Sequence, residues 1–385
     1  MVIDEVETFV LKLTAGEPYL GSFGGNAEPS GYVVREPWRS LYSGRYETLL
    51  VKLVARDGTT GWGEALAPVG PEVPAAVVDV LLAPVLRGAD ASRPRPVWFR
   101  LRELMRERGH LTGHQADALA AVDIALWDLA GRLAGRSVAE MLGGAFRDEL
   151  LCYVSGLPRS TDEERADLAK EWAERGARAV KLHLGRGVKA DLATVAVVRE
   201  AAPSLRVAAD AHWAYRIDDA LRLANGLANA GCWFLESPLA PEDVAGHAEL
   251  VSRSPLPVAI GETLRNRFEL TQWLDARALR IAQPDIGRTG ITEAMAFSEL
   301  CAARHVPVAP HHSVGLGIAM AAGVQASAAM ESFEVFEFQP SSVEVGVRIL
   351  TEEMAVRPDR IAVPGGPGLG VEVDEQAVYQ LSKER

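Results

Sequence analysis

The stretch VAADAHWAYR (residues 207–216) opens as a buried strand and then presents Asp210 and His212, one residue apart and therefore on one face of an extended chain. Seven other short apolar runs read the same way: ELLCYVSG (149–156), RAVKLHLG (178–185), CWFLESPL (232–239), VAIGET (258–263), LRIAQPDI (279–286), VPVAPHHS (306–313) and FEVFEFQ (333–339). Between them lie segments such as TDEERADLAKEWAERG, DDALRLANGLANAG and ITEAMAFSELCAARH, whose apolar positions recur at helical spacing and which often open on Thr or Asp as N-caps. Strands that alternate with helices imply a parallel sheet, and eight such units close a (β/α)₈-type barrel. The expected fold class is α/β, with a modified TIM barrel over residues 121–350.

The first 120 residues read differently. EVETFVLKLT and ETLLVKLVARDGTTGWGEAL are strand-like, with Asp57-Gly58 as a hairpin turn, and PAAVVDVLLAPVLRG is helical, which together predict an N-terminal α+β domain. No low-complexity linker separates it from the barrel, so tight packing is expected. Residues 351–385 are Gly- and Pro-rich at VPGGPGLG and too short for a third domain.

Composition narrows the function. The chain has 385 residues, 48% of them hydrophobic and 24% charged, as expected of a water-soluble protein. No apolar run approaches the roughly 20 residues of a membrane helix, and MVIDEVETFV carries acids where a signal peptide needs basic residues. The expectation is a cytoplasmic protein that engages no membrane. Cys152, Cys232 and Cys301 are too few and too scattered for a disulfide framework or a zinc knuckle. A net charge of -12 argues against nucleic acid as a partner. It would also repel small carboxylates, so an acid-binding site here needs local positive charge, which a metal ion can supply.

The last polar residues of the runs are Lys181 with His183, Asp210 with His212, Glu236, Glu262, Asp285, His311 beside His312, and Glu337. In a barrel these ring one mouth, although Lys181 and Glu337 stand 156 positions apart. Asp210 to Glu236, Glu236 to Glu262, Asp285 to His311 and His311 to Glu337 are each steps of 26 residues. Three acids in register, Asp210, Glu236 and Glu262, would repel one another unless a cation sits among them. Oxygen-only ligands favour a hard ion, and Mg²⁺ fits best. Asp285 beside His311 would fix the imidazole tautomer and raise its basicity, making His311 a general base. His311 and His312 cannot both face the mouth if the chain is extended there. Lys181 suits neutralising a carboxylate, and His183 or His212 suits exchanging a proton.

These residues resemble the enolase superfamily and, within it, the mandelate racemase branch, over nearly the whole chain. The resemblance rests on GWGEA (61–65), AVDIALWDLAGRLAGRSVAEMLGG (121–144), the acid triad, QPDIGRTGIT (283–292) and APHHS (309–313). It implies abstraction of the proton α to a carboxylate through an enediolate, with a Lys or His base and Mg²⁺. Asp210, Glu236 and Glu262 match the metal ligands, Asp285 and His311 the dyad, and Glu337 the acid hydrogen-bonded to the substrate carboxylate. GRTGIT lacks one glycine usual in the family, so counting from Asp285 favours His312 and counting back from the following helix favours His311; the second count is preferred, because loops absorb deletions more readily. Lys181 and His183 stand where racemase-like members carry Lys-x-Lys. His212 stands where some acid-sugar dehydratases of the branch place a histidine, suited to protonating a departing hydroxyl.

The resemblance also implies that the first domain caps the mouth, with a mobile lid near residues 17–31, substrate contacts at Tyr19, Phe23 and Arg45, a tail packed back on the cap, and a homo-oligomer. The activity expected is a Mg²⁺-dependent hydro-lyase that dehydrates a sugar acid. The alternative is a racemase or epimerase with His183 or Lys181 opposite His311; cycloisomerisation ranks lower, because lysines on opposite faces are the commoner pattern there.

Overall fold

Two glycines in the strand Thr60–Ala65 set how the molecule is assembled. A Cβ on Gly63 would lie 1.9 Å from the carbonyl oxygen of Ala121, and one on Gly61 would lie 2.5 Å from the Leu129 backbone nitrogen. Only glycine lets this strand lie so close to the helix Gly113–Ala134. The computed structural model describes residues 1–15, 31–34, 38, 40–108 and 111–384.

Thr60–Ala65 is one edge of a three-stranded antiparallel sheet whose centre is Tyr46–Ala55 and whose other edge is Ile3–Leu13. The expected Asp-Gly turn joins the first pair: Gly58 has φ +89°, and Asp57 Oδ1 accepts the Thr59 N–H at 3.0 Å. Helix Gly113–Ala134 is buried without a break from Ala116 to Gly131, because the sheet covers one side and the helix Ile286–Ala302 the other. Residue 120 therefore lies inside a helix shared by cap and barrel.

Parallel pairing runs from Glu149–Ser155 through Ala179–His183, Arg206–Asp210, Leu235–Glu236 and Val258–Ile260 to Ile281–Ala282. The seventh run is reduced to isolated bridges, from Val308 to Ala282 and Phe333 and from His311 to Asp285, since Pro307 and Pro310 lack the N–H groups a longer ladder needs. Phe336–Phe338 then pairs with the first strand and closes the barrel. Tyr153, Ala179, Ala208, Phe234, Ala259, Ile281, Ala309 and Val335, one from each strand position, pack as a core cluster inside it. Seven helices of nine or more residues follow the first seven positions, whereas the eighth is followed directly by the short helix Pro340–Gly346.

Local sequence sets the helix starts. Thr161 forms a capping box with Glu164, and Asn266 with Glu269. Ile286–Ala302 begins five residues before the expected ITEAMAF start, because a kink at Gly290 (φ 72°) joins an extra turn to it. The tail contacts both parts of the molecule: Arg360–Ala362 adds antiparallel to the first barrel strand, and helix Glu375–Leu381 lies on Ile3–Leu13, with Lys52 Nζ 3.0 Å from Glu375 Oε2.

Candidate active site

The strand ends bring the chemistry-bearing residues together at one mouth. Asp210 stands opposite His183 on one side and Glu236 on the other in the parallel register. Lys181, only 1% exposed, donates from Nζ to Glu236 Oε1 at 2.8 Å and lies 2.7 Å from Glu337 Oε1. Burial alone would lower its pKa; the two carboxylates outweigh that and raise it well above the ordinary lysine value. Gln283 Nε2 holds the other Glu236 oxygen at 2.7 Å. Burial, with Asp210, Glu337 and Glu262 nearby, pushes the Glu236 carboxyl up to about 8 against the pull of Lys181.

His311 Nδ1 lies 2.6 Å from Asp285 Oδ2, and its Nε2 lies 3.0 Å from Glu262 Oε2. Burial opposes a charge on this ring, but Glu337, Glu262 and Asp285 raise its pKa well above the usual histidine value. Glu262 is correspondingly lowered despite its burial, chiefly by His311. His312 points elsewhere: its ring stacks on Phe336 at 5.9 Å and burial lowers its pKa. Glu337, the expected partner of a substrate carboxylate, accepts a hydrogen bond from Ser155 Oγ at 2.5 Å besides its contact with Lys181.

The premise that Asp210 and His212 share a strand face is corrected. The strand ends at Asp210, and His212 (φ 45°) and Trp213 (φ 62°) turn through the left-handed region. The turn still returns the ring to the site, with Nδ1 3.9 Å from Asp210 Oδ2 and the backbone N–H donating to Oδ1 at 2.8 Å. Burial would lower the His212 pKa, but Asp210 and the other acids raise it. His183 lies 3.8 Å from Asp210 through Nε2, and burial pulls its pKa down to about 4.

The acids fit a hard cation by the chemistry of their donors. Among the described residues, the polar contacts of Asp210 Oδ2 are the two imidazoles at 3.8 and 3.9 Å and that of Glu262 Oε1 is a 3.4 Å bond from Ser237, so these carboxylate oxygens retain acceptor capacity. Among the described residues, Glu236, His311 and Glu337 each bring one ligand atom within 4.8 Å of the others. The expected triad is not itself among the sets this compact: Lys181 draws Glu236 toward Glu337, and His311 holds Glu262.

A cavity of about 700 Å³ opens over the mouth. Its walls include Trp38, Tyr42 and Arg45 from the cap and His212, Glu262 and His311 from the barrel. Tyr42 Oη lies 2.6 Å from His212 Nε2, and Trp38 Nε1 donates to the Leu184 carbonyl at 2.8 Å, which pins this part of the cap to the second strand. Tyr19 and Phe23 lie outside the described residues. Sequence reasoning missed Gln283, Ser155, Trp38 and Tyr42. Gln283 and Ser155 carried a signal, as polar residues closing apolar runs; Trp38 and Tyr42 reach the site only through tertiary closure.

Comparison with known proteins agrees with this geometry. Residues 164–377 match the family model described as enolase C-terminal domain-like, and residues 39–143 match the mandelate racemase / muconate lactonizing enzyme N-terminal domain. The chain is 34% identical to D-galactarolactone cycloisomerase of Agrobacterium fabrum over 89% of this chain and 93% of that one. It is 26% identical to arabinonate dehydratase of Saccharolobus solfataricus over 84% and 87%. A solved member of the enolase superfamily from Agrobacterium tumefaciens superposes with a TM-score of 0.93 at 37% identity, covering 98% of each chain. With both domains matched and the strand-end residues gathered at one mouth, the chain belongs to the mandelate racemase branch of the enolase superfamily.

Proposed function

We propose that this protein removes the proton α to the carboxylate of a sugar acid and expels the β oxygen, acting as a Mg²⁺-dependent lyase when that oxygen is a hydroxyl. The observation that carries this reading is which candidate groups reach the cavity: His311 and His212 line it, whereas Lys181 and His183 do not. One base and one acid suit an elimination. A racemase needs an acid/base group on each face of the α carbon, and the second-strand lysine that would serve is engaged between two carboxylates.

Asp210, Glu236 and Glu262 are the residues that would hold magnesium, which when bound would take the substrate carboxylate and stabilise the negative charge added as the α proton leaves. His311 Nε2 accepts that proton, while Asp285 at Nδ1 fixes the ring and offsets the charge it gains. The C–H electron pair becomes the Cα–Cβ double bond and the Cβ–O bond breaks. The departing oxygen takes a proton from His212, whose ring Tyr42 orients. Trp38 and Tyr42 cover that ring and exclude water from it.

A β hydroxyl leaves as water. A β oxygen that belongs to a ring opens the ring with no change of mass, so the dehydratase and the cycloisomerase among the relatives are both accommodated. The test is mass spectrometry in D₂O with Mg²⁺ on a panel of sugar acids and their lactones. Elimination is expected on some member; His311→Asn should suppress exchange and product by about 10³-fold, and His212→Asn should suppress product by about 10²-fold while α-deuterium exchange continues. Deuterium gain without elimination on any member would reject the reading.

A further inference from the structure

The cavity carries more positive charge than its proposed chemistry uses. Arg45, Arg216 and Arg288 line it, and Glu262 is the single carboxylate among its described lining residues. This is unexpected on a chain whose net charge is -12. Arg45 has a partner of sorts, Glu47 at 3.9 Å, and Arg216 is exposed to solvent.

Arg288 is the informative one. Its Nε is buried with no hydrogen-bond partner, and no carboxylate among the described residues lies within 4.0 Å of its guanidinium. It stands in the first turn of Ile286–Ala302, where a cation opposes the amide dipoles. Its neighbourhood already holds Arg265, whose guanidinium is met by Asp117 at 2.9 Å and the Thr263 carbonyl at 2.6 Å. Burial and the Arg288 charge hold Arg265 below the usual arginine range, so the two cations stand close enough to repel. Among the described residues Glu262 feels the Arg288 charge and is lowered by it, but no group hydrogen-bonds the buried Nε. A guanidinium placed so presents a planar donor fork suited to a carboxylate or phosphate that arrives from outside.

We propose that Arg288 binds a second anionic group of the substrate, so that the sugar acid processed here is a dianion: an acid bearing a carboxylate or a phosphate besides the carboxylate next to the reacting carbon. This rests on the elimination reading, in which the mouth acids and their cation take the first carboxylate. Arg45 and Arg216 raise the potential of the cavity as a whole and draw such a substrate in against the repulsion of the acidic surface. Specificity between dianion and monoanion then resides largely in one side chain.

The test measures binding to the Mg²⁺-loaded protein through tryptophan fluorescence, since Trp38 and Trp213 line the cavity. Hexarates, the matching hexonates and the matching 6-phosphohexonates are compared in the gluco, manno and galacto configurations. In at least one configuration a dianion should bind at least about tenfold more tightly than its hexonate. The preferred arm, hexarate or phosphohexonate, identifies the second group. Arg288→Met should bring that ratio to within about twofold of one, and Arg288→Lys should keep part of it as a point charge without the fork.

Absence of a dianion preference in every configuration overturns the proposal, as does a preference that survives Arg288→Met. Deuterium exchange read in the same D₂O samples separates the two readings. Exchange and elimination without dianion preference would sink this inference alone, and dianion preference without exchange would sink the elimination alone.

Discussion

At the seam between cap and barrel, Glu64 accepts the backbone N–H groups of Leu316 at 2.7 Å and Ala319 at 2.8 Å, Asp123 accepts that of Thr292 at 2.7 Å, and Asp128 accepts those of Trp62 and Leu369 at 2.8 Å each. At the barrel mouth, the buried Glu236 and Glu337 and the half-buried Glu262 are held mainly by side chains: Glu236 by Lys181 and Gln283, Glu262 by His311, Glu337 by Lys181 and Ser155. A backbone amide cannot give up its proton or swing away, so an acid it satisfies acts as a joint. Lysine, histidine and glutamine can rearrange when a cation or substrate arrives, so acids they satisfy remain available for chemistry. What distinguishes the two sets is therefore the kind of partner, since Glu64 at the seam and Glu236 at the mouth are alike fully buried.

Exchange of partners makes this contrast testable. Asp128→Ala leaves two buried N–H groups and the Arg132 Nε–H without their acceptor, and should cost about 3–5 kcal/mol of stability in urea unfolding while the folded fraction keeps its turnover. Glu262→Gln should do the reverse, lowering α-proton exchange by about 10³-fold with unfolding changed by less than about 1 kcal/mol. If Asp128→Ala suppresses turnover as strongly as Glu262→Gln does, the division by partner type is wrong.

A smaller effect comes from ion binding. Mg²⁺ at about a hundred times its dissociation constant should stabilise the wild type by about 2.7 kcal/mol. Glu236→Gln should remove most of that gain, whereas Asp123→Asn at the seam should keep it. Thermal unfolding with and without Mg²⁺ reads both, and a gain that persists in Glu236→Gln would place the cation elsewhere.

The smallest effect is in pH dependence. Burial pushes both Glu64 and Asp123 up to about 7 in the folded state, above their unfolded values near 4. Between these limits the folded form holds more protons than the unfolded one, so stability falls as pH rises from about 4 to 7, then levels. Asp123→Asn should flatten this decline by on the order of 1–3 kcal/mol, read as urea midpoints at pH 5 and pH 8. A wild type whose stability rises across that interval would contradict the assignment of a held proton to the seam.

Much of the site was legible because a barrel converts a repeat in sequence into a ring in space. The steps of 26 residues placed Asp210, Glu236 and Glu262 on successive strands, and counting back from the following helix selected His311, the ring that meets Asp285. Period-two reasoning failed where the strand stopped, since the positive φ values at His212 and Trp213 lie two and three residues beyond Asp210, the last ladder residue. Trp38 and Tyr42 were illegible for a different reason. Their neighbours lie far away in sequence, as in Tyr42 with His212 (170 apart) and Trp38 with Leu184 (146 apart), and no local pattern encodes such closure. Gln283 could have been found, because an amide two residues before Asp285 in an apolar run needs a polar partner inside the barrel.

The joint at Asp128 also bears on how the chain is made. Its carboxylate binds the Leu369 N–H across 241 residues, and Lys52 meets Glu375 across 323. During synthesis at about 5–20 residues per second, the cap sheet and its helix emerge roughly 10–50 s before the segment that completes them. For that interval the acid and the apolar face of the helix lack their final covering, which makes the newborn cap the stage at which a chaperone would have most to shield.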